Sequence, residues 1–182
     1  MRQSNRTKIL EAAFALVQRE GLTRLTLESV AVEAGLTKGG LMYHFPTREA
    51  LLVALHEWLA EQWEGQLEAE AGKRAVDATA TERLAAYARV SLESATRADL
   101  QLMLESVPHD EQTWPWADVL SRWSEPAENA ERDDAALVRL VARLAADGLW
   151  MYQALGYGEL SPGLRGRLTE RITRLVEDAE RG

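Results

Sequence analysis

The sequence predicts an all-α protein, with a three-helix head containing a helix-turn-helix and a larger helical body behind it. Three observations predict it. Apolar residues recur at helical spacing in almost every segment, with neither an alternating strand pattern nor an internal repeat. The stretch Leu25 to Leu52, LTLESVAVEAGLTKGGLMYHFPTREALL, sets out two short helices, a glycine turn, a proline stop and a new helix start. The last two helical segments are apolar over a wider face than burial inside one small body requires.

The elements follow in order. An initial helix from Arg6 to Gly21 carries Ile9, Ala12, Ala13, Leu16 and Val17 on one stripe, which packs on the two short helices. Thr26 is a good N-cap, after which Leu27, Val30, Ala31 and Ala34 share a face. Gly35 follows the last periodic residue, where a left-handed C-terminal position suits glycine. Thr37 caps the next helix, with Leu41 and Phe45 inward and Lys38, Gly39, Met42, Tyr43 and His44 pointing elsewhere. Pro46 stops it and Thr47 opens a long helix bearing Leu51, Leu55, Trp58, Leu59, Trp63 and Leu67. This helix crosses from the expected head, residues 1–46, into the expected body, residues 47–182.

Gly72 and the small residues from Ala78 to Thr81 mark the next break, with Thr81 read as the following cap. That helix places Leu84, Tyr87, Ala88, Ser91, Leu92 and Ala95 on one face. A shorter helix is read from Asp99, with Leu100, Met103, Leu104 and Val107, ended by Pro108. Pro115 and Pro126 bracket another, with Trp116, Val119, Leu120 and Trp123. Leu137, Leu140, Val141, Leu144, Ala145, Gly148, Leu149 and Tyr152 make the wide apolar face of the penultimate helix. Ser161-Pro162 is a cap with proline at the first helical position, followed by Leu164, Leu168, Ile172, Leu175 and Val176. Two such helices from each of two chains make a four-helix dimer bundle; the alternative is that both faces are internal core.

Two short helices in that order place the second in a DNA major groove. Glycine in a helix interior costs roughly 1 kcal/mol relative to alanine, so Gly39 and Gly40 need a reason. Close approach of the helix N-terminus to a DNA backbone or base edge is one. A helical hairpin with a tight glycine turn is the plainer alternative. At AVEAGLTKGGLMYHFPTREALL the chain resembles the TetR family of bacterial repressors. The likeness is specific over about the first third. It continues more weakly through HEWLAEQW and LAADGLWMYQAL, which are similar to the CgmR-type multidrug-efflux repressors. The resemblance implies a DNA-binding head and a ligand-binding, dimerising body. It assigns Thr26, Ser29, Tyr43 and His44 chiefly to phosphates, and Thr37, Lys38, Gly39 and Met42 to base edges or nearby backbone. Gly40 and Arg48 complete the expected DNA-binding set.

Composition bounds the rest. No run of about 18 apolar residues occurs and the N-terminus lacks an apolar signal core, so the expectation is a cytoplasmic protein without membrane span or export. No cysteine is present, which excludes disulfides and thiolate metal sites. The net charge is −8. Met1 to Thr47 holds six basic and four acidic residues, +2, and the remainder fifteen and twenty-five, −10. A mildly basic end on an acidic body suits a protein that meets phosphates with one end only.

All six tryptophans lie outside the head. Tryptophan presents a large flat surface with one N–H to satisfy, so it lines cavities and interfaces as well as cores. Trp63, Leu67, Leu92, Met103, Trp116 and Trp150 are the expected ligand lining. Glu93, Glu105, Asp110 and Asp147 are possible counter-charges for a cation stacked on the indoles. The expected inducer is flat and lipophilic, with cationic character favoured weakly. No cofactor is expected: His44, His56 and His109 fit no metal pattern, and His109-Asp110-Glu111 reads as a solvated acidic turn. Gly39-Gly40 has neither a preceding strand nor a GK[ST] ending, and no hydroxyl has a recognisable activating partner. The leading expectation is therefore a dimeric, ligand-responsive repressor of an efflux gene or of its own promoter. A structural DNA-binding protein without an inducer is the alternative, and an enzyme is supported by no motif.

Overall fold

A computed structural model of the chain describes residues 4–93, 96–105, 115–158 and 160–179, without the side chains of residues 92, 93, 115, 178 and 179. Among these residues it has nine α-helices and no strand. They are α1 (Asn5–Glu20), α2 (Leu27–Glu33), α3 (Lys38–His44), α4 (Arg48–Ala71), α5 (Ala80–Glu93), α6 (Arg97–Glu105), α7 (Pro115–Trp123), α8 (Asp134–Ala154) and α9 (Pro162–Ala179). Short 3-10 turns occupy Leu22–Arg24, Ala75–Asp77 and Ala127–Glu131. The helices group into two compact units. One comprises Met1–Ala60 with Arg97–Pro115, the other Glu61–Thr96 with Trp116–Gly182. These units are defined by packing; the division at residue 46 is a functional one and remains a proposal.

The first unit is held by a single apolar core. Ile9, Ala13, Leu16 and Val17 of α1 meet Val30 and Ala31 of α2, Leu41 of α3, Leu51 and Leu55 of α4 and Leu102 of α6. Full burial of each large aliphatic contributes about 1.5–3 kcal/mol, enough to fix the short helices that would not persist alone. Local chemistry sets their ends. Thr26 Oγ1 accepts from Ser29 N while Ser29 Oγ accepts from Thr26 N, so both donors are satisfied at the start of α2. Gly35 has φ 64°, Gly35 N donates to Val32 O and Leu36 N to Ala31 O, closing α2 with a Schellman turn. Thr37 Oγ1 accepts from Gly40 N at 3.1 Å and Thr47 Oγ1 from Ala50 N at 3.1 Å, opening α3 and α4.

In the second unit α5, α8 and α9 pack together. Leu67, Leu84, Tyr87, Trp123, Ile172 and Val176 are buried. The inward side of α8 is alanine, at residues 136, 142, 146 and 154, which brings its neighbours close. Several of its large apolar residues face the other way. Leu137, Val141, Leu144, Met151 and Leu155 are all exposed, and with Gly148 they follow steps of four and three along one seam. Exposed Leu164 and Leu175 and half-buried Leu168 continue the pattern on α9.

Two boundaries differ from the sequence expectation. Thr79, not Thr81, caps α5: its hydroxyl accepts from Glu82 N and Glu82 reaches back to Thr79 N. The T-x-x-E spacing from Thr79 makes a reciprocal box, and Thr81 is buried one turn in. Helix α6 begins at Arg97 rather than Asp99 and buries Ala98 and Leu102, leaving Leu104 exposed. The aliphatic stripe of α6 was thus read one position out of phase, a consequence of its being nine residues long. Ala95, Val107, Pro108, His109, Asp110 and Trp114 lie outside the described residues, as does any turn at His109-Asp110-Glu111.

Candidate nucleic-acid interface and ligand site

The outer side of α3 is built by what its inner side must bury. Leu41 and Phe45 are sealed in the core, so the helical period turns Lys38, Gly39, Met42 and Tyr43 outward. Tyr43 is 86% exposed and Met42 41%. His44 is half-buried with its ring edge-on to Tyr43 at 5.3 Å. A β-carbon added at Gly39 would meet nothing within 4 Å, whereas one at Gly40 would sit 3.2 Å from the capping Thr37 Oγ1. Gly40 therefore has an internal reason to be glycine. Gly39 has none, and its reason has to lie outside the protomer or be absent.

The hydroxyls of Thr26, Ser29 and Thr37 are committed to helix caps, and Ser29 Oγ also donates to Arg24 O at 2.7 Å. The ammonium of Lys38 is hydrogen-bonded to Glu28 of α2, a partner that sequence reading missed. That bond, with Glu28's own backbone, holds the Glu28 carboxyl below its ordinary range. Arg48 is also engaged: Nε donates to Leu25 O at 3.0 Å and Nη1 to Glu105 at 3.4 Å. It ties the start of α4 to the residue before α2. His56, further along α4, is buried; its imidazole is pushed below its usual value by desolvation, with the Glu105 charge acting in the opposite direction.

In the second unit the tryptophans meet edge to face. Trp63 lies 5.8 Å from Trp116 and 5.3 Å from Tyr87, ring centre to ring centre. Leu67 is fully buried, Trp116 is buried, and Trp63 and Trp150 are half-buried. Of the six expected lining residues, the described contacts thus join Trp63 and Trp116. Met103 belongs to the other compact unit, and the side chain of Leu92 lies outside the description. Tyr87, which sequence reading placed only on a helix face, is the hub. Its hydroxyl donates to Asp147 at 2.5 Å, Arg143 lies 5.6 Å over its ring, and burial followed by the Asp147 charge pushes the phenol well up. Asp147 is also 3.7 Å from Arg143, so this expected counter-charge already has two partners. Glu105 is likewise engaged by Arg48, the side chain of Glu93 is not described, and Asp110 lies outside the described residues.

A helix-turn-helix with both helices capped and the second turned outward is the arrangement of a DNA-binding regulator. Residues 9–55 match the family model described as bacterial regulatory proteins, tetR family, and residues 81–177 match the tetracyclin repressor-like C-terminal domain. The chain belongs to the TetR family, whose members are regulators rather than enzymes. It is 36% identical over 55 residues to the HTH-type transcriptional regulator CymR of Pseudomonas putida, a match spanning 30% of this chain and 27% of that protein. Among solved structures, a TetR-family regulator from Rhodococcus sp. superposes with a TM-score of 0.69 at 19% identity, covering 97% of this chain and 99% of the other. The multidrug binding protein EbrR complexed with malachite green does so with a TM-score of 0.59 at 24% identity, covering 95% and 98%. At these identities the structures speak for the fold. No helix among the described residues is long and apolar enough to cross a membrane, and no cluster of metal-ligating side chains occurs among them.

Proposed function

We propose that the chain is a cytoplasmic, dimeric transcriptional repressor that binds operator DNA through α2 and α3 and is released by a lipophilic small molecule. The outward face of α3 carries the reading: Lys38, Gly39, Met42 and Tyr43 project from a helix that its caps and core hold in place. Tyr43, His44, Thr26 and Ser29 position the protein on phosphates; Thr37, Lys38, Gly39, Gly40 and Met42 meet base edges and adjacent backbone. Arg48 orients the helix-turn-helix through Leu25 O rather than by reaching far toward DNA. The unpartnered seam of α8 and α9 supports a two-fold dimer, which presents two recognition helices to half-sites about 34–36 Å apart.

The inducer site is the Trp63–Trp116–Tyr87 cluster, with Leu67 and Trp150 on the same unit. EbrR, a multidrug binding protein, supports a permissive aromatic site and hence control of a multidrug-efflux gene. Because Asp147 is already paired, stacking rather than charge is the main attraction. Helix α4 runs unbroken from Arg48, next to the helix-turn-helix, to beyond Trp63, so a ligand that displaces this indole can tilt it. One observation favours the second reading, a DNA-binding protein without an inducer: the aromatic rings pack on one another.

A panel of flat lipophilic dyes distinguishes the two readings. The repressor reading expects tryptophan quenching, release of operator DNA, and loss of both in Trp63→Ala. Linkage requires operator to weaken dye binding by the same factor as dye weakens operator binding. If no dye changes operator affinity, the inducer is abandoned and the second reading stands.

A further inference from the structure

A cleft in the second unit lies between the start of α5, the end of α7 and the first turns of α8, and meets the aromatic cluster only at Arg143, which lies over the Tyr87 ring. Its empty space is about 370 Å³ including the open mouth. The enclosed part, about 20 Å³, holds one water-sized group. Three arginines line it, Arg83, Arg139 and Arg143, against one acid, Glu125. This is a local positive surplus in a chain of net charge −8. Trp123, fully buried, and Leu140 supply an apolar wall.

The three cations are not equivalent. Arg139 pairs with Glu125 and Asp133, and Arg143 lies beside Asp147 and over the Tyr87 ring. Arg83 makes no ion pair among the described residues, the cleft's one acid, Glu125, being taken by Arg139. Its Nη1 donates to the carbonyls of Ala78 at 2.7 Å and Ala75 at 3.4 Å, which fix the guanidinium at the cleft. Its Nε is buried with no partner among the described residues. A half-buried guanidinium with one spare donor and no ion pair among the described residues is complementary to one carboxylate.

We propose that this cleft binds a small organic monocarboxylate, its charged end compensating Arg83 and its apolar part lying in the mouth against Trp123 and Leu140. The enclosed space takes one carboxylate oxygen, so the remainder of the molecule stays in the open part. Only one positive charge is uncompensated, so a monoanion fits better than a dianion. The cleft's anchor, Arg83, belongs neither to the aromatic cluster nor to the helix-turn-helix, so the proposal stands whether or not that cluster binds an inducer.

The test uses the full chain labelled with nitrogen-15, benzoate as the probe and benzamide as its neutral counterpart. The arginine Nε–H signal of Arg83, assigned by its loss in Arg83→Lys, should shift saturably with benzoate and not with benzamide. Half-saturation is expected on the order of 1 mM, the strength of a single charge-assisted anchor with modest apolar burial. Thermal unfolding of the unaltered protein gives a second reading that needs no variant: benzoate should raise the midpoint and benzamide should not. An equal response to both compounds would overturn the proposal, since the charge would then contribute nothing. So would the absence of saturation at ten times that concentration, which would leave water as the occupant.

Discussion

The outer face of α3 and the outer face of α8 are both exposed in the protomer, but they are exposed for opposite reasons. On α3 the inner positions carry Leu41 and Phe45 and the outer ones Lys38, Gly39, Met42 and Tyr43, the ordinary amphipathic order with a polar and aromatic exterior. On α8 the order is inverted. Alanines pack inward while Leu137, Val141, Leu144, Met151 and Leu155 face out. An exterior of the first kind is stable in water as it stands. One of the second kind leaves a contiguous apolar patch in water unless another surface covers it. The difference suits the proposal made above, which puts a charged, grooved partner against α3 and an apolar one, a second copy, against α8 and α9.

The largest effect should come from charging the α8 seam. Leu144 is 59% exposed in the protomer, so Leu144→Asp should leave each chain folded while placing an unpaired charge in the dimer interface. Light scattering at micromolar concentration should report monomers with unchanged helical circular dichroism, and operator affinity should fall by about 100-fold or more, since a buried unpaired charge costs several kcal/mol. Val176, fully buried in the protomer, is the contrast: Val176→Asp should unfold the second unit instead. A wild-type monomer would remove the inverted-face argument altogether.

A middle-sized effect is expected at His56 in α4. Burial holds the His56 imidazole neutral below the 6.5 of a free side chain. The unfolded chain therefore takes up a proton that the folded one refuses, and stability falls as pH drops below about 6.5. Thermal midpoints between pH 8 and 5 should decline through that window, and His56→Gln should flatten the decline. A midpoint that rises on acidification in the wild type would reverse the sign argued here.

The smallest effect compares the two glycines. Gly39→Ala meets open space, so the free protein should gain roughly 0.5–1 kcal/mol from helix propensity while operator binding weakens. Gly40→Ala crowds the Thr37 hydroxyl and should gain less or lose stability. Urea unfolding beside operator titration separates the two. Unchanged operator affinity in Gly39→Ala would leave that glycine without a function.

The same contrast explains what the sequence made legible. Thr26, Gly35, Thr37 and Pro46 act on backbone groups a few residues away, so their chemistry could be read in order, and the caps and turn lie where that reading puts them. Ser161 before Pro162 was legible in the same way. The wide apolar face of α8 was visible too, because a stripe broader than one interface needs only helical spacing to detect. Long-range pairings were not. Nothing local ties Lys38 to Glu28, Arg48 to Leu25 O or Tyr87 to Asp147, and each changes the role a side chain is free to play. Arg83 was passed over because its importance lies in the carboxylate it lacks, which only packing reveals. Thr81 was read as a cap because the competing box from Thr79 to Glu82 begins two residues earlier in a run of small residues.

The central claim is that the outward face of α3 reads DNA, and one pair of titrations tests it most directly. Full-length wild type, Tyr43→Phe and Lys38→Ala should be titrated against a site selected from a random pool by the wild-type protein, and against unselected DNA of equal length. Tyr43→Phe removes one phosphate-directed hydroxyl and should weaken both complexes by a similar factor. Lys38→Ala removes a base-directed cation and should narrow the gap between selected and unselected DNA by about 5- to 150-fold, the range of roughly 1–3 kcal/mol carried by one specific base contact. Unchanged affinity for both DNAs in both variants, with the fold intact, would contradict the account.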